Sequence, residues 1–281
     1  MKLPKFVWSL LLLLSVIACN NKDDNEIEII NNDPKPYTLI IGHKATGSGT
    51  NNLGLVENTF EAVQYGYKHL DGIEVDLQMS KDTTLWLIHH TYMTDCNGNS
   101  AKMFSIADTT LKQISNCTNG TLITLNQLFE YLSKQKTKKL VSLDMKVIGN
   151  LGCTIPNKNE VVANILDTLY NQYKPNATIA IESFDIDFLE MVEQKTPEIE
   201  TYILVWYRTK ENEVWFAKNH GIDGISCRYL PEITQSTTNK AIELGIKIQM
   251  WTLCKDDDIQ KAAELHPYAL QVDSISSYLY K

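Results

Sequence analysis

The sequence predicts a (β/α)8 barrel with a small inserted segment after the second strand. Three observations lead there. Eight short β-rich runs alternate with amphipathic helical runs from about residue 37 onward, the pattern of a parallel sheet covered by helices. No Gly-rich phosphate loop follows the first run, which sets aside an open doubly wound sheet. The third observation is one break in the alternation, just after the second run. Length and composition permit the fold: 281 residues, 43% apolar and 21% charged, are ordinary for a globular chain able to bury a full core.

The first residues stand apart from the fold. Lys2 and Lys5 precede an apolar run over residues 6–17, then Ala18 and Cys19. A basic start, a short apolar run and a small residue before the cut describe a secretory signal. The run is too short for a spanning helix, which needs about 20 residues. Val16-Ile17-Ala18-Cys19 resembles the bacterial lipobox, so residues 1–18 are expected to be a signal peptide and Cys19 a lipid anchor. Residues 19–36 are polar and acidic and end in two prolines, which reads as a flexible tether. The expected location is lipid-anchored on a bacterial membrane, the outer one, with the periplasmic or surface side open. Residues 37–281 are expected to form the barrel domain, with an insertion at about 79–123.

The strand candidates in order are residues 38–43, 72–78, 140–146, 178–183, 201–207, 224–227, 247–253 and 269–273. Helical candidates lie between them at 58–69, 124–135, 159–173, 186–195, 213–220, 237–245 and 256–266. Each places apolar residues at three- and four-residue intervals. Asn58 with Glu61 three residues on has the capping-box arrangement, so Asn58 is expected to cap the first helix, the alternative being that Glu57 and Asn58 contact substrate. Asp256, Asp257 and Asp258 read as acids facing a helix N-terminal dipole rather than as a metal site. The break comes after the second strand, where residues 80–84 join two apolar runs. A parallel crossover needs a dozen or more residues, so residues 85–89 should return antiparallel as a hairpin. A turn centred near Asp82 places residue 76 roughly opposite residue 89.

Barrel active sites lie where strands end and βα loops begin. Strand ends here supply His43 and Lys44, Glu74 and Asp76, then Asp144 and Lys146, followed by Glu182 or Ser183, Trp251 and Asp273. Side chains two apart share a strand face, so Glu74, Asp76 and Asp144 can form an oxygen-rich pocket from two neighbouring strands. Such a pocket suits a hard divalent ion, Ca²⁺ or Mg²⁺. Histidine is the side-chain type suited to proton transfer near neutral pH, so His43 and His89 can accept and donate protons. Two histidines, a metal cluster and a lysine suit cleavage of a phosphodiester.

Charge and cysteines narrow the partners. Cleavage before Cys19 removes two lysines and no acids, taking the net charge from -8 to -10. An acidic domain without a basic cluster argues against nucleic acid and against electrostatic docking on anionic lipid. The remaining five cysteines lack zinc-finger spacing, and Cys96 with Cys117 is the expected disulfide, both lying in one irregular segment.

With these residues located, the chain resembles the glycerophosphodiester phosphodiesterase family, within the phospholipase C-like phosphodiesterase superfamily. The family's His-Arg-Gly and Glu-Asn-Thr are similar to IIGHKA and to ENTFEA at residues 57–62. Its Glu-x-Asp-x-Gln is similar to EVDLQMSKD, its His-Asp to LIHH and its Glu-x-Lys to the DMK at residues 144–146. The resemblance implies metal-dependent hydrolysis of glycerophosphodiesters to glycerol 3-phosphate and an alcohol. It implies His43 and His89 as catalytic, Glu74, Asp76 and Asp144 as metal ligands, and Lys146 on the phosphate. Lys44 and Trp251 complete the candidate substrate contacts. Lys44 stands where the family has Arg, a point charge in place of a fork; His90 replaces Asp, and Asp144 replaces Glu. Two alternatives share these residues: a phospholipase D-like enzyme of the sphingomyelinase D type acting on intact or lyso-lipids, and a non-catalytic lipoprotein binding head groups or glycans.

Overall fold

The computed structural model describes residues 37–47, 54–89, 92–93, 104–105, 122–146, 157–207, 211–230 and 232–273. The expected anchor and tether, His90 and the Cys96–Cys117 pair lie outside the described residues. The chain runs β1 (Leu39–Gly42), α1 (Phe60–His69), β2 (Gly72–Met79) and then β3 (Leu85–Leu87). Two short strands, β4 (Tyr92–Met93) and β5 (Phe104–Ser105), pair with each other in the inserted segment. From there the alternation is regular: α2 (Leu125–Ser133), β6 (Leu140–Met145), α3 (Lys158–Tyr173), β7 (Thr178–Ser183), α4 (Ile186–Lys195) and β8 (Glu200–Val205). It continues through α5 (Glu211–Asn219), β9 (Gly224–Arg228), α6 (Gln235–Leu244), β10 (Lys247–Leu253), α7 (Asp256–Glu264) and β11 (Ala269–Val272).

Eight of these strands close into a parallel barrel in the order β1-β2-β6-β7-β8-β9-β10-β11, with β11 pairing back onto β1. The fold class expected from the sequence is therefore the one observed. β3 is the exception, antiparallel on β2, and it is the hairpin that the short link demanded. Its register differs by one residue from the expected one: Leu77 faces Leu87, and Ile88 rather than His89 comes opposite Asp76, whose carbonyl accepts its N–H at 2.9 Å.

Alternation within the strands sorts two environments. Ile73, Val75, Leu77, Val141, Leu143, Ile179 and Ile181 face outward into a single apolar layer shared with the helices. Each such side chain contributes roughly 1.5–3 kcal/mol on burial. The inward set begins with an apolar plug at one end, Ile41, Leu140, Ala180, Tyr202 and Ala269. Above the plug the interior turns polar. Gln249 donates to Ser142 at 3.1 Å, and Ser142, Gln249 and Gln271 all donate to Glu182 Oε1. The polar side chains of the mouth follow.

The first helix begins one residue later than expected. Thr59, not Asn58, is its N-cap, its Oγ1 accepting the Ala62 N–H at 3.3 Å. Asn58 adopts a left-handed conformation (φ 59°) and is buried, its amide turned to Asp76. Gly66 sits inside α1, where Ala would be about 1 kcal/mol better intrinsically. A methyl at Gly66 or Gly42 would overlap the Ala45 carbonyl oxygen, so both positions are bare to let the first βα loop cross between strand and helix.

Candidate active site

That first loop and the second strand are locked together. The Lys44 backbone N–H donates to Glu74 Oε2 at 2.7 Å, and the Ala45 N–H donates to the Glu74 carbonyl at 2.7 Å. Asn58 holds Asp76 twice: Nδ2 donates to Oδ2 at 2.8 Å, and the Asp76 N–H donates to Oδ1 of Asn58 at 3.0 Å. Since Asp76 lies beside Asp144 in the β2–β6 register, the third acid joins the same cluster. Among the described residues, one carboxylate oxygen from each of Glu74, Asp76 and Asp144 lies within 4.8 Å of the others. Glu74 Oε1 and Asp144 Oδ1 are buried with no hydrogen-bond donor among the described residues. Buried oxygens left without donors are costly, and oxygens are what a hard cation takes as ligands. The residues present fit a divalent ion.

Electrostatics point the same way. Burial, then the charges of Asp76, Asp144 and Glu182, push the Glu74 carboxyl well above the usual range. Burial also raises Asp144. Asp76 feels the same burial, but Lys146 and then His89, with the Lys146 and Asn58 hydrogen bonds, bring it below its ordinary value. The Lys146 ammonium lies 2.6 Å from Asp76 Oδ1 and also pairs with Asp144 Oδ2. Three carboxylates against one ammonium leave a formal charge that a dication neutralises.

The two histidines come from opposite sides of this cluster. His43 follows β1 directly, its Nδ1 lies 2.7 Å from Asp273 Oδ1, and its Nε2 lies 3.8 Å from Glu74 Oε2. Asp273 follows β11, and closure of the barrel places it next to His43, whose N–H donates to the Val272 carbonyl at 3.1 Å. His89 is delivered by the β3 hairpin. Gln78 Nε2 donates to its carbonyl at 2.8 Å and to that of Ile88 at 3.3 Å, which ties the hairpin end to the barrel strand.

These groups meet at a mouth cavity of about 190 Å³, whose lining includes His43, His89, Asp144, Lys146, Glu182 and Trp251. Glu74 and Asp76 are buried just beneath, at 1% and 0% exposure. The Lys44 side chain is also absent from that lining. Its ammonium turns to Glu57 at 3.3 Å, and its contribution to the cluster is the backbone N–H on Glu74. Asp273 and Glu182 were visible as strand ends without a role. Asn58 was assigned to the helix, and Gln78 was part of a motif with no contact to explain it. The available signal for Asp273 was barrel closure itself, which makes the last strand a neighbour of the first.

Fold and site together define a class, the phosphoric diester hydrolases built on a (β/α)8 barrel. The sequence profile of the glycerophosphoryl diester phosphodiesterase family matches residues 43–277. The chain belongs to that family. No curated protein matches it. Solved structures are similar in fold. A candidate glycerophosphoryl diester phosphodiesterase from Silicibacter pomeroyi superposes with TM-score 0.72 at 17% identity, covering 86% of this chain and 92% of that one. The glycerophosphodiester phosphodiesterase from Thermotoga maritima gives 0.65 at 20% identity, with 87% and 98% covered. A phosphodiesterase from Oleispira antarctica, in complex with the product sn-glycerol-3-phosphate, gives 0.64 at 17% identity, with 86% and 97% covered.

Proposed function

We propose that this chain hydrolyses glycerophosphodiesters to glycerol 3-phosphate and an alcohol, using two histidines for proton transfer and a divalent ion. The observation that carries the reading is the convergence of His43, His89, Asp144 and Lys146 on one cavity lying against the buried Glu74 and Asp76. Glu74, Asp76 and Asp144 would hold Ca²⁺ or Mg²⁺, which when bound polarises the phosphoryl oxygens and stabilises the charge developing on them.

The remaining work belongs to the side chains. With Nδ1–H donated to Asp273, His43 presents Nε2 as the acceptor for a proton of the attacking water. His89 gives its proton to the oxygen of the departing alcohol as the P–O bond breaks. Over a full cycle one water is consumed and the phosphoryl group stays with glycerol. Lys146 adds positive charge at the phosphoryl oxygens, Lys44 adds a more distant charge that it shares with Glu57, and Trp251 walls the cavity. The product held by the Oleispira antarctica phosphodiesterase supports the side on which the phosphate remains.

The deciding experiment incubates the protein with glycerophosphocholine, glycerophosphoinositol and a lysophospholipid, with and without chelator, and identifies the products by phosphorus NMR. Glycerol 3-phosphate should appear, vanish with EDTA, and return with Ca²⁺ or Mg²⁺. His43→Ala and His89→Ala should each lower kcat about 10²–10⁴-fold. Turnover that survives EDTA, or survives the double histidine variant, would overturn the mechanism. Cleavage of the lysophospholipid alone would move the substrate to lipids, and inertness toward every diester would leave a binding protein.

A further inference from the structure

We propose that the wall opposite the metal cluster is a head-group subsite for a ring-shaped, oxygen-rich alcohol, a cyclic polyol such as an inositol or a hexose, built by Trp206, Arg228 and Trp251. The inference rests on the phosphodiesterase reading above and names the half of the substrate that leaves. The three residues come from neighbouring strand ends. Arg228 pairs in register with Trp251, and Cys227 pairs with Val205, which puts Trp206 on its other side. In the barrel order β8, β9 and β10 lie across from β2 and β6, the strands that carry the acids. The Trp206 and Trp251 ring centroids are 5.3 Å apart at 51°, and both rings line the mouth cavity. Trp206 is 50% exposed, a large apolar face left to water at the edge of a catalytic pocket.

Two polar groups of this corner are donors. The Arg228 guanidinium lies 6.0 Å from the Trp206 ring centre, is exposed, and has no ion-pair partner among the described residues. Lys44 and Lys146, by contrast, are both engaged by carboxylates. The Trp251 Nε1–H is buried without an acceptor among the described residues. Flat indole faces with guanidinium and indole donors at their edge match a ring with apolar faces and hydroxyl oxygens around its rim. A choline or ethanolamine head group fits poorly. A quaternary ammonium is held by aromatic faces, but here the guanidinium already stands over one of them and repels a second cation.

The test compares kcat/KM for glycerophosphoinositol and glycerophosphocholine in the wild type and in Arg228→Ala, Arg228→Lys and Trp206→Ala. The expected result is at least a tenfold preference for the inositol diester. Arg228→Ala should lower turnover of that substrate about tenfold, while turnover of the choline diester is not lowered and rises as the repulsion is removed. Arg228→Lys, keeping the charge without the fork, should restore only part. A wild-type preference for choline, or equal losses on both substrates in Arg228→Ala, overturns the proposal. Intrinsic tryptophan fluorescence titrated with each intact diester on His43→Ala protein reads the subsite without turnover. Tighter binding of the inositol diester there, in a protein whose wild type cleaves nothing, would sustain the subsite while the hydrolytic reading fails. No preference in binding or in turnover overturns the subsite.

Discussion

Asn58 holds Asp76 from both sides, and in doing so it fixes one oxygen of the proposed cation site. The contact was not legible in the sequence because Asn followed by Glu three residues on is also how a helix starts. Thr59, the very next residue, can cap as well and does so, freeing Asn58 to take a left-handed turn that Asn tolerates better than most residues. Asp273 was hidden for a different reason: 230 residues separate it from His43, and only the closed barrel makes them neighbours. Groups that orient metal ligands commonly tune affinity 10–100-fold. Asn58→Ala should therefore weaken Ca²⁺ or Mg²⁺ binding by about that factor in a calorimetric titration. Leaving the Asp76 N–H and Oδ2 without partners should also cost about 1–3 kcal/mol of stability. Unchanged metal affinity would show that the cluster holds its shape without the clamp.

The β2–β3 hairpin and the first βα loop both depart from regular barrel alternation, and each brings a histidine to the mouth. The hairpin was legible because a five-residue link excludes a parallel crossover, a matter of chain geometry alone. Its register came out one residue away, since turn geometry near Asp82 is set by local contacts: the Thr83 and Ser80 N–H groups bond within the turn, and Thr83 has φ 61°. The eight barrel strands were legible for a simpler reason. Their outward residues are β-branched or aliphatic at every second position, and the helices between them repeat at three and four. The first loop carried no such period. Its path is set by backbone packing, the Ala45 carbonyl pressing against bare Cα atoms at Gly42 and Gly66. Gly66→Ala tests this directly. On helix propensity alone it should stabilise by about 1 kcal/mol. Because the new methyl meets backbone that cannot yield, we expect a net loss of about 1–3 kcal/mol in chemical denaturation, together with reduced activity as the loop carrying His43 shifts. A gain in stability would show that the loop accommodates the methyl.

A barrel usually fills its interior with branched apolar layers, yet this one is apolar only at its closed end. The middle is a polar set centred on Glu182, which accepts from Ser142, Gln249 and Gln271 directly beneath the mouth. Burial, then the charge of Asp144, pushes the Glu182 carboxyl from 4.5 up to about 7. The direction fixes the sign of its effect on stability. A raised folded-state pKa means that the native state binds the proton more tightly than the unfolded chain. Its contribution is therefore complete below about pH 4.5 and is lost as pH rises through about 7. In the metal-free protein, thermal stability should fall between pH 5 and pH 8. Glu182→Gln, which removes the charge and keeps the shape, should flatten the part of that slope due to this group. The difference is on the order of 3 kcal/mol at most, since burial in the real ensemble is never complete. Glu74 and Asp144 are raised as well and slope the same way, so the informative quantity is the difference between wild type and variant across the pH series. If the two curves run parallel, Glu182 titrates as it does in the unfolded chain, and the polar interior holds a charge that its three donors fully satisfy.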